Sequence, residues 1–290
     1  MLLPMSRRNT DQSWIVNARE DGLSLQEFLA LRLDASRRVA KQQIDARVVW
    51  VNDRCVWMAR HTLRRGDTVR LTRPVASPTA VSARPAGLKI LFEDENYLVA
   101  DKPPGLLSNE GEGSVEAILQ QQCRNPALRV VHRLDRETSG CLLAAKQQMA
   151  FDAAVEIFKQ HRIVKIYRCI VYERWDATAS TLDLPIEGER ALTGVTCVRA
   201  NNLASHLIVR IETGRTHQIR RHLAMARHPV LGDRQYGPKK IDDPLLQSVD
   251  RAILHAVELK MDHPLREGQL KVFSPLPADF HRWLKALKLN

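Results

Sequence analysis

The segment HRLDRETSG, residues 132–140, sets a single carboxylate among side chains that are suited to binding a polyanion. Asp135 is flanked by Arg133 and Arg136, with the apolar Leu134 directly before it and two hydroxyl side chains close behind it. An exposed Asp between two Arg residues usually takes part only in solvated ion pairs, which contribute little to stability. A functional interpretation of Asp135 therefore depends on a second cluster that can meet it.

A second basic segment, TGRTHQIRRHL at residues 213–223, provides such a cluster. It follows an apolar, strand-like run at 207–211, and its apolar positions recur at the i, i+4 and i+7 spacing of an amphipathic helix, namely Ile219, Leu223 and Ala226. The rim of this helix is predicted to carry Arg215, Arg221 and His222. Arg220 is expected beside the apolar stripe, in a partly buried position.

A partly buried guanidinium is unfavourable unless a carboxylate meets it, so Arg220 requires an acidic partner. Asp135 is the candidate, because a forked guanidinium can hold a carboxylate ionised and oriented even in a dry pocket. The two segments together predict an Asp–Arg pair at a site that binds a polyanion.

Seven segments of the chain, in order, resemble the motifs of the RluA-type pseudouridine synthases, which isomerise uridine to pseudouridine in RNA. They are DKPPG at 101–105, HRLDRETSG, KIY at 165–167, TGRTHQIR, HPVLGDRQYG at 228–237, LHA at 254–256 with the later His-Pro at 263–264, and SPLPADF at 274–280. The resemblance covers residue 88 to the C-terminus. It implies that Asp135 is the essential carboxylate, Tyr167 the active-site tyrosine and Arg220 the arginine that pairs with the carboxylate.

One departure from the family pattern lies just after the first motif. Ser108 and Asn109 stand where the family more often has His-Pro. We expect this difference to lie at the edge of the cleft and to affect contacts with the substrate more than activity.

The implied reaction breaks the bond from sugar C1′ to N1, turns the freed uracil and joins C1′ to C5, without a change of redox state. No cofactor is needed for it. It requires one carboxylate, acting as a nucleophile on the sugar or base or as a base toward the sugar, and a cage that retains the detached uracil. Asp135 is expected to be this carboxylate, since an Asp with an ordinary pKa of about 3.9 is ionised at neutral pH. Which of these steps it performs stays open.

Tyr167 falls on an alternating run at 164–171 that predicts a strand, with Lys165, Tyr167 and Cys169 on one face. A Tyr on a strand more often fills a core than takes part in catalysis. The resemblance implies that the ring of Tyr167 stacks on uracil, and its hydroxyl can help to move the C5 proton.

Several basic residues near these motifs are expected to contact RNA. An enzyme that acts on a base first extracts it from its stack, and Arg133 resembles the family residue that holds the vacated gap open. A plain phosphate contact is the alternative for Arg133. His132 either contacts the RNA or only fixes its loop. The other expected contacts in this region are Arg136, Arg215 and His217.

The composition agrees with a nucleic-acid substrate. The formal net charge is +11 and the pI near 9.7, which indicates a polyanionic partner. Five cysteines without a CxxC pair predict a reducing compartment, and no apolar window predicts a membrane span or a secretion signal. We therefore expect a cytoplasmic monomer that acts on ribosomal or transfer RNA, with neither a metal site nor a membrane partner.

Residues 1–73 are predicted to form a separate module, residues 74–87 a tether rich in Pro, Ala and Ser, and residues 88–290 the catalytic domain. In the module, Ser24 and Glu27 predict a capping box before one helix. Ser36 is expected to cap a second, basic helix that carries Arg37, Arg38, Lys41 and Arg47.

Strands of this module are predicted at 48–51, 54–58 and 68–72, with a tight turn at 52–53. The arrangement resembles the small α/β RNA-binding domain named after ribosomal small-subunit protein S-four, which some RluA-type enzymes carry in front of the catalytic domain. The module holds fourteen basic and eight acidic residues. It is therefore expected to bind RNA through Arg37, Arg38 and Lys41.

The catalytic part is predicted to be an α+β domain. Alternating runs predict strands at 88–92, 97–100, 141–145, 164–171, 207–211 and 253–259, and helical patterns lie at 114–123, 149–160, 217–227 and 278–287. The resemblance implies that the sheet is mixed and mostly antiparallel, with helices on its flanks and the RNA cleft across it.

Two other classes of function are alternatives to an isomerase. One is an RNA-binding or ribosome-assembly protein that has kept the fold without the chemistry, and the intact set of Asp135, Tyr167 and Arg220 argues against it. The other is a metal-dependent hydrolase, which needs a cluster of ligands where the sequence offers only scattered His residues.

Overall fold

A computed structural model describes residues 12–45, 48–52, 54–56, 58–71, 87–109 and 111–290. The chain divides into two compact units, Met1–Ala83 and Arg84–Asn290. Nearly all of the predicted tether, residues 74–86, lies outside the described residues, as do Arg47 and Asp53. The division into module, tether and catalytic domain at the boundaries given above stays a prediction.

The first unit combines two helices with a small sheet. The helices are α1 (Leu25–Arg32) and α2 (Arg37–Asp45), and the strands are β1 (Gln12–Ile15), β2 (Val49–Val51), β3 (Arg54–Cys55) and β4 (Thr68–Leu71). The four strands are antiparallel in the order β1-β4-β2-β3. Strands β2 to β4 agree with the predicted ones, whereas β1 was not foreseen.

Helix α1 begins where the sequence predicted. The Ser24 hydroxyl accepts a hydrogen bond from the Glu27 N–H at 3.3 Å, and the Glu27 carboxylate accepts one from the Ser24 N–H at 3.2 Å. This reciprocal pair satisfies two N–H groups that a helix start otherwise leaves open. Ser36 caps α2 in a similar way, with its hydroxyl 3.4 Å from the Val39 N–H.

The second unit contains the remaining elements. Its helices are α3 (Val115–Gln122), α4 (Gln148–Lys159), α5 (Gln218–Met225), α6 (Pro244–Gln247) and α7 (Ala278–Ala286). Its strands are β5 (Ile90–Glu93), β6 (Tyr97–Lys102), β7 (Arg129–Val130), β8 (Ser139–Ala145), β9 (Ile163–Tyr172), β10 (Ala179–Asp183), β11 (Leu192–Ala200), β12 (Ala204–Ile211), β13 (Leu254–Asp262) and β14 (Gln269–Phe273). Within the described ranges, no helix has the length and apolar character required to cross a bilayer.

These strands form one sheet in the order β10-β11-β12-β9-β13-β8-β6-β5, with β14 beside β13 and β7 beside β8. Strands β13 and β8 run parallel, and the other pairs are antiparallel. The expected α+β fold with a mostly antiparallel sheet is thus confirmed. The predicted strands and helices are all present, and β7, β10, β11, β14 and the short helix α6 were missed.

Both faces of the sheet are covered, which explains why all seven residues of β8 are buried. On one face, side chains such as Leu142 and Ala144 pack with helices α3 and α5. On the other face, Cys141 and Leu143 pack with α4, and the neighbouring part of the sheet packs with α7. The strands therefore show near-continuous apolar runs where they are central and alternation where they are not.

Gly140 lies where the HRLDRETSG segment enters the sheet. It is paired with Ala256 across the parallel β8–β13 contact and has a φ of 111°. A Cβ at this position would lie 2.2 Å from the carbonyl oxygen of Ala256. Glycine is thus needed here both for its backbone angle and for the close approach of the two strands.

We expect Gly140→Ala to lower the free energy of unfolding by more than about 3 kcal/mol, because it adds backbone strain and a collision with fixed backbone atoms. Gly268→Ala is the matched control, since Gly268 has a φ of 104° but nothing within 4 Å of the added Cβ. The control should lose only about 1–2 kcal/mol from its positive φ. Differential scanning calorimetry of the full chain measures both, and equal losses would contradict the collision.

Candidate active site

A cavity of about 280 Å³ opens in the second unit. The residues around it come from the HRLD loop, the end of α4, strands β9, β12 and β13, the loop before α5, and α5 itself. Its apolar wall contains Leu134, Tyr167, Ile211, Ile219 and Leu254, and its polar side chains include His132, Arg133, Asp135, Lys165, Arg215, His217 and Arg220. An apolar pocket with a few convergent polar groups is the usual form of a small-ligand site.

Asp135 and Arg220 meet at this cavity, as the sequence predicted. The Arg220 Nη1 group donates to Asp135 Oδ2 at 3.2 Å. The guanidinium fork, however, does not hold Asp135. Nε and Nη2 of Arg220 donate to the two oxygens of Asp233, at 2.6 and 2.9 Å. The expectation that the fork grips Asp135 is therefore wrong, because the fork is occupied by a second carboxylate that the sequence reasoning missed.

Burial differs sharply among the three charged groups. The Asp233 side chain is fully buried, that of Arg220 is 7% exposed, and that of Asp135 is 26% exposed. Although burial opposes the charge, hydrogen bonds and attraction from Asp233 and Asp135 raise the pKa of Arg220. Burial likewise opposes the charge of Asp233, and Arg220 keeps its pKa below the ordinary value. Asp233 is thus the anchor of Arg220, which leaves Asp135 held by one bond at the cavity.

Asp233 reaches α5 because of the turn that precedes it. Gly232 has a φ of 79°, and a Cβ there would lie 2.0 Å from the carbonyl oxygen of Arg251. Asp233 then caps its own turn by accepting hydrogen bonds from the N–H groups of Gln235 and Tyr236. The one sequence signal for Asp233 was its place in the HPVLGDRQYG segment, two residues after the apolar pair Val230 and Leu231, and that segment does not indicate Arg220 as its partner.

Strand β9 brings Tyr167 and Lys165 to the cavity on one face, as the alternation predicted. Both residues are buried, with 7% of Tyr167 and 8% of Lys165 exposed. Burial, and then the charge of Asp135, raises the pKa of Tyr167, so its hydroxyl is protonated at neutral pH. Lys165 donates to the carbonyl of Thr213 at 3.2 Å, and burial lowers its pKa to about 8. Lys165 was not among the predicted site residues.

The loop that carries Asp135 is held from beneath by Lys102 of the DKPPG segment. This lysine is fully buried, and its Nζ donates to the carbonyls of Pro103, Arg136 and Thr138 at 2.8–3.0 Å. Burial lowers the pKa of Lys102 to about 7, while the charge of Asp135 opposes this effect. Three carbonyl acceptors suit the three hydrogens of an ammonium group. The DKPPG segment was recognised in the sequence as a motif, but no role was predicted for Lys102.

Ser108, one of the two departures from the family pattern, also supports this loop. It is 3% exposed, and its hydroxyl both donates to the Leu134 carbonyl and accepts from the Leu134 N–H at 2.9 Å. The residue next to Asp135 is thus pinned in both directions. The expectation that Ser108 lies at the cleft edge, where it would contact substrate, is wrong because Ser108 is buried and its hydroxyl is hydrogen-bonded to the backbone of Leu134.

His132 is bound within the protein. Its Nε2 accepts a hydrogen bond from the Leu143 N–H at 3.1 Å, and its ring stacks on Phe158 at a centroid distance of 5.0 Å. Burial and then the nearby Lys165 lower its pKa to about 3, so the ring is neutral. This geometry supports the alternative in which His132 fixes the loop, and its contact with RNA stays a prediction.

The other predicted RNA contacts differ in how far they are engaged. Arg133 is exposed at the cavity, and within the described ranges its side chain makes no hydrogen bond or ion pair. Arg136 donates to the Gly105 carbonyl at 2.9 Å. Arg215 pairs with Glu189 at 3.2 Å and donates to the carbonyl of residue 190. Among these three arginines, Arg133 is thus the one whose side chain lines the cavity without a partner in the part of the chain that the structure describes.

His222, predicted on the rim of α5, is fully buried instead. Its Nε2 lies 2.9 Å from the carbonyl of Leu184, in the segment between β10 and β11. The prediction for His222 is wrong because α5 packs against protein on two sides, whereas the spacing of its apolar residues indicates only one buried side. His217, just before α5, does line the cavity, with Nε2 3.8 Å from Asp135 Oδ1.

Known proteins share both the sequence and the fold of this chain. Residues 96–225 match the sequence profile of the family described as RNA pseudouridylate synthase. Ribosomal large subunit pseudouridine synthase D of Haemophilus influenzae is 30% identical over 95% of this chain and 94% of its own. This chain belongs to the RNA pseudouridine synthase family. The enzyme of the same name from Xanthomonas campestris is 32% identical over 79% of this chain and 78% of its own.

The comparisons confirm the resemblance to RluA-type synthases, and therefore the assignment of this chain as an RNA pseudouridine isomerase. A solved structure, human RNA pseudouridylate synthase domain containing 4, superposes with a TM-score of 0.60 at 24% identity. It covers 69% of this synthase and 92% of the human chain. That structure supports the fold of the second unit.

In this synthase, Arg220→Lys should lower the rate of pseudouridine formation by at least about 100-fold, because one ammonium cannot meet both oxygens of Asp233 and still donate to Asp135. The rate is measured with enzyme in excess over RNA, so that binding does not limit it. Arg221→Lys is the matched control, since Arg221 lies on the same helix and pairs with Glu187. A rate for Arg220→Lys equal to that of the control would refute the pairing.

Proposed function

We propose that this synthase converts specific uridines of large-subunit ribosomal RNA to pseudouridine, with Asp135 as the essential carboxylate. The observation that carries the proposal is the contact between Asp135 and a buried Arg220 at an open cavity lined by apolar and charged side chains. The names of the two bacterial relatives support ribosomal RNA over transfer RNA. Structured RNA of either kind suits the net charge of the chain.

A uridine enters this cavity only after leaving its base stack. Leu134, Tyr167 and Ile219 supply the apolar surfaces between which a flat pyrimidine can lie. Arg133, exposed beside them, is placed to occupy the vacated position in the RNA or to bind a phosphate. The cavity then retains the uracil after its bond to the sugar breaks, which allows the base to turn without being lost.

The reaction is balanced without an oxidant or a second substrate. The C1′–N1 bond breaks, a C1′–C5 bond forms, C5 loses one proton and N1 gains one. Asp135 assists by attack on the sugar or the base, or by removing a sugar proton. Arg220 donates to Oδ2 alone, so Oδ1 stays available for this step. Tyr167, protonated at neutral pH, serves as an apolar wall and a hydrogen donor near the turning base.

The first unit is proposed to be a handle for RNA. Helix α2 exposes Arg37, Arg38 and Lys41 on its surface. Arg37 is paired with Glu27 at 3.0 Å. Arginine and lysine on one helix face suit the phosphates of an A-form duplex, which fix position without reading sequence. Such a handle raises the local concentration of RNA at the catalytic cavity.

Asp135→Asn tests the catalytic assignment. We expect product formation to fall by a factor on the order of 10³ or more, because the amide can neither attack nor accept a proton, while RNA affinity changes little. Release of tritium from C5-labelled uridine measures the loss of the C5 proton, and filter binding measures affinity. Asp152→Asn, on the exposed face of α4, is the matched control.

Two outcomes would contradict the proposal. Product formation by Asp135→Asn at the rate of Asp152→Asn would remove Asp135 from the chemistry. The substrate is tested separately with a transcript of large-subunit ribosomal RNA and with a pool of transfer RNA. Tritium release from the transfer RNA alone would overturn ribosomal RNA as the substrate.

The double substitution Arg38→Ala with Lys41→Ala tests the RNA handle. Each lost phosphate contact should reduce the slope of log affinity against log salt by about one and weaken binding of all RNAs alike. Arg282→Ala with Lys285→Ala removes the same charge from the exposed face of α7 and serves as the control. If the two double variants show the same slope of log affinity against log salt concentration, α2 does not bind RNA in the way proposed.

A further inference from the structure

Five polar side chains form a closed ring on one side of the cavity. They are Asp135, Arg220, Gln235, Tyr236 and His217. Arg220 donates to Asp135 at 3.2 Å and to Gln235 Oε1 at 3.3 Å, and Gln235 Nε2 lies 3.1 Å from the Tyr236 hydroxyl. The Tyr236 hydroxyl lies 3.0 Å from His217 Nδ1, and His217 Nε2 lies 3.8 Å from Asp135 Oδ1. Four of these contacts are hydrogen bonds, and the fifth, between His217 and Asp135, is a longer electrostatic contact. The position of a hydrogen on one side chain therefore limits where the next side chain can place its own.

The direction of these hydrogen bonds follows from Arg220, which can only donate. The Gln235 atom that faces Arg220 must be its oxygen, so its NH₂ group faces Tyr236 and donates to the hydroxyl oxygen. The hydroxyl hydrogen of Tyr236 is then free to point to Nδ1 of His217. A guanidinium thus orients an amide, and the amide orients a phenol.

His217 completes the sequence. If Nδ1 accepts from Tyr236, the single hydrogen of the neutral ring lies on Nε2, which faces Asp135. The other tautomer would leave the Tyr236 hydrogen without an acceptor in the described part of the chain, and would set the Nε2 lone pair against a carboxylate. Burial is the main cause that lowers the pKa of His217, and the charges of Arg220 and Arg221 add to it. The charges of Asp135 and Asp233 act in the opposite direction but do not cancel the effect, so the ring is neutral at neutral pH.

The backbone conformation at His217 also determines where the ring lies. The residue has a φ of 55°, in the left-handed region that side-chain-bearing residues seldom adopt. It precedes α5 without making a side-chain cap. Such strain persists where the surrounding structure imposes it, and it concentrates at functional sites.

We propose that His217 is a positioning residue, held as the Nε2–H tautomer by Gln235 and Tyr236 so that it presents a hydrogen to the second oxygen of Asp135. The inference rests on the proposed function of Asp135 and extends it. Arg220 donates to Oδ2 and His217 faces Oδ1, so the two contacts orient the carboxylate at the cavity. At 3.8 Å the His217 contact is electrostatic and weaker than a hydrogen bond, which leaves the lone pairs of Oδ1 available for the reaction.

The tautomer of His217 can be measured directly in the full chain without any turnover. Two-bond nitrogen–proton correlation spectra of histidine-labelled protein at pH 7 distinguish Nε2–H from Nδ1–H, and the signal absent from His217→Asn identifies His217. We expect Nε2–H in the wild type and a mixture in Tyr236→Phe, which keeps the ring but lacks the hydroxyl. The Nδ1–H form in the wild type, or an unchanged signal in Tyr236→Phe, would overturn the proposal.

Activity gives a second, independent test. His217→Gln can extend an amide hydrogen to the former Nε2 position, whereas His217→Asn reaches only the Nδ1 position but tolerates the left-handed backbone better. A positioning role predicts a faster single-turnover rate for the Gln variant. A role limited to the backbone conformation predicts the reverse order, which would refute the proposal.

Tyr236→Phe should lower the single-turnover rate by about 3- to 10-fold, with RNA affinity unchanged within about 2-fold. Tyr97→Phe is the matched control, since its buried hydroxyl donates to the Ala150 carbonyl away from the cavity. Equal rates for the two Phe variants would count against the proposal. If Asp135→Asn keeps its activity while the tautomer result holds, the function of Asp135 fails and the placement of His217 stands.

Discussion

The site depends on one buried cation, the guanidinium of Arg220, and on the unequal way in which two carboxylates share it. A buried Arg is tolerable only when its donors are met, and removing one partner of such a pair typically destabilises by about 3–5 kcal/mol. Asp233, fully buried, meets the fork with two short bonds. Asp135 receives the remaining Nη1 group. The carboxylate that anchors the arginine is thus not the carboxylate that faces the cavity, and Asp135 is oriented without being immobilised.

The loop around Asp135 has little regular structure, so side chains from the sheet hold it in place. Lys102 at the end of β6 donates to three carbonyls, and Ser108 pins the backbone of Leu134. His132 ties the loop to the N–H of Leu143 in β8. Farther along, Arg251 donates to the carbonyl of Glu137 and pairs with Asp279 at the start of α7. Backbone groups that a loop leaves open are paired here with side chains from the neighbouring elements, which ties the loop to the sheet.

Periodicity in the sequence identified elements that pack on one or both faces, such as β9 and α4, because burial imposes a repeat on apolar residues. It missed β10, an edge strand whose residues are alternately exposed and partly buried but mostly polar, since little burial leaves little pattern. At the site, motif order identified Asp135, Tyr167 and Arg220 as a group. It could not identify Asp233 as the partner of the fork, because that contact joins α5 to a turn thirteen residues later and depends on the turn's geometry. Local spacing does not encode it.

Helix α5 shows why directional contacts were needed at this site. Three of its polar residues, Gln218, Arg220 and His222, are buried beside Ile219 and Leu223. The Gln218 amide is fully used: its oxygen accepts from Thr213 and from the Arg215 N–H, and its nitrogen donates to Leu192 and Thr193. Apolar packing alone would allow the helix to slide or rotate by a fraction of an ångström at little cost, since such contacts have no direction. Hydrogen bonds at Gln218 and His222 on one side of α5, and at Arg220 on the other, fix the helix in place, and its register in turn fixes where Arg220 and His217 meet Asp135.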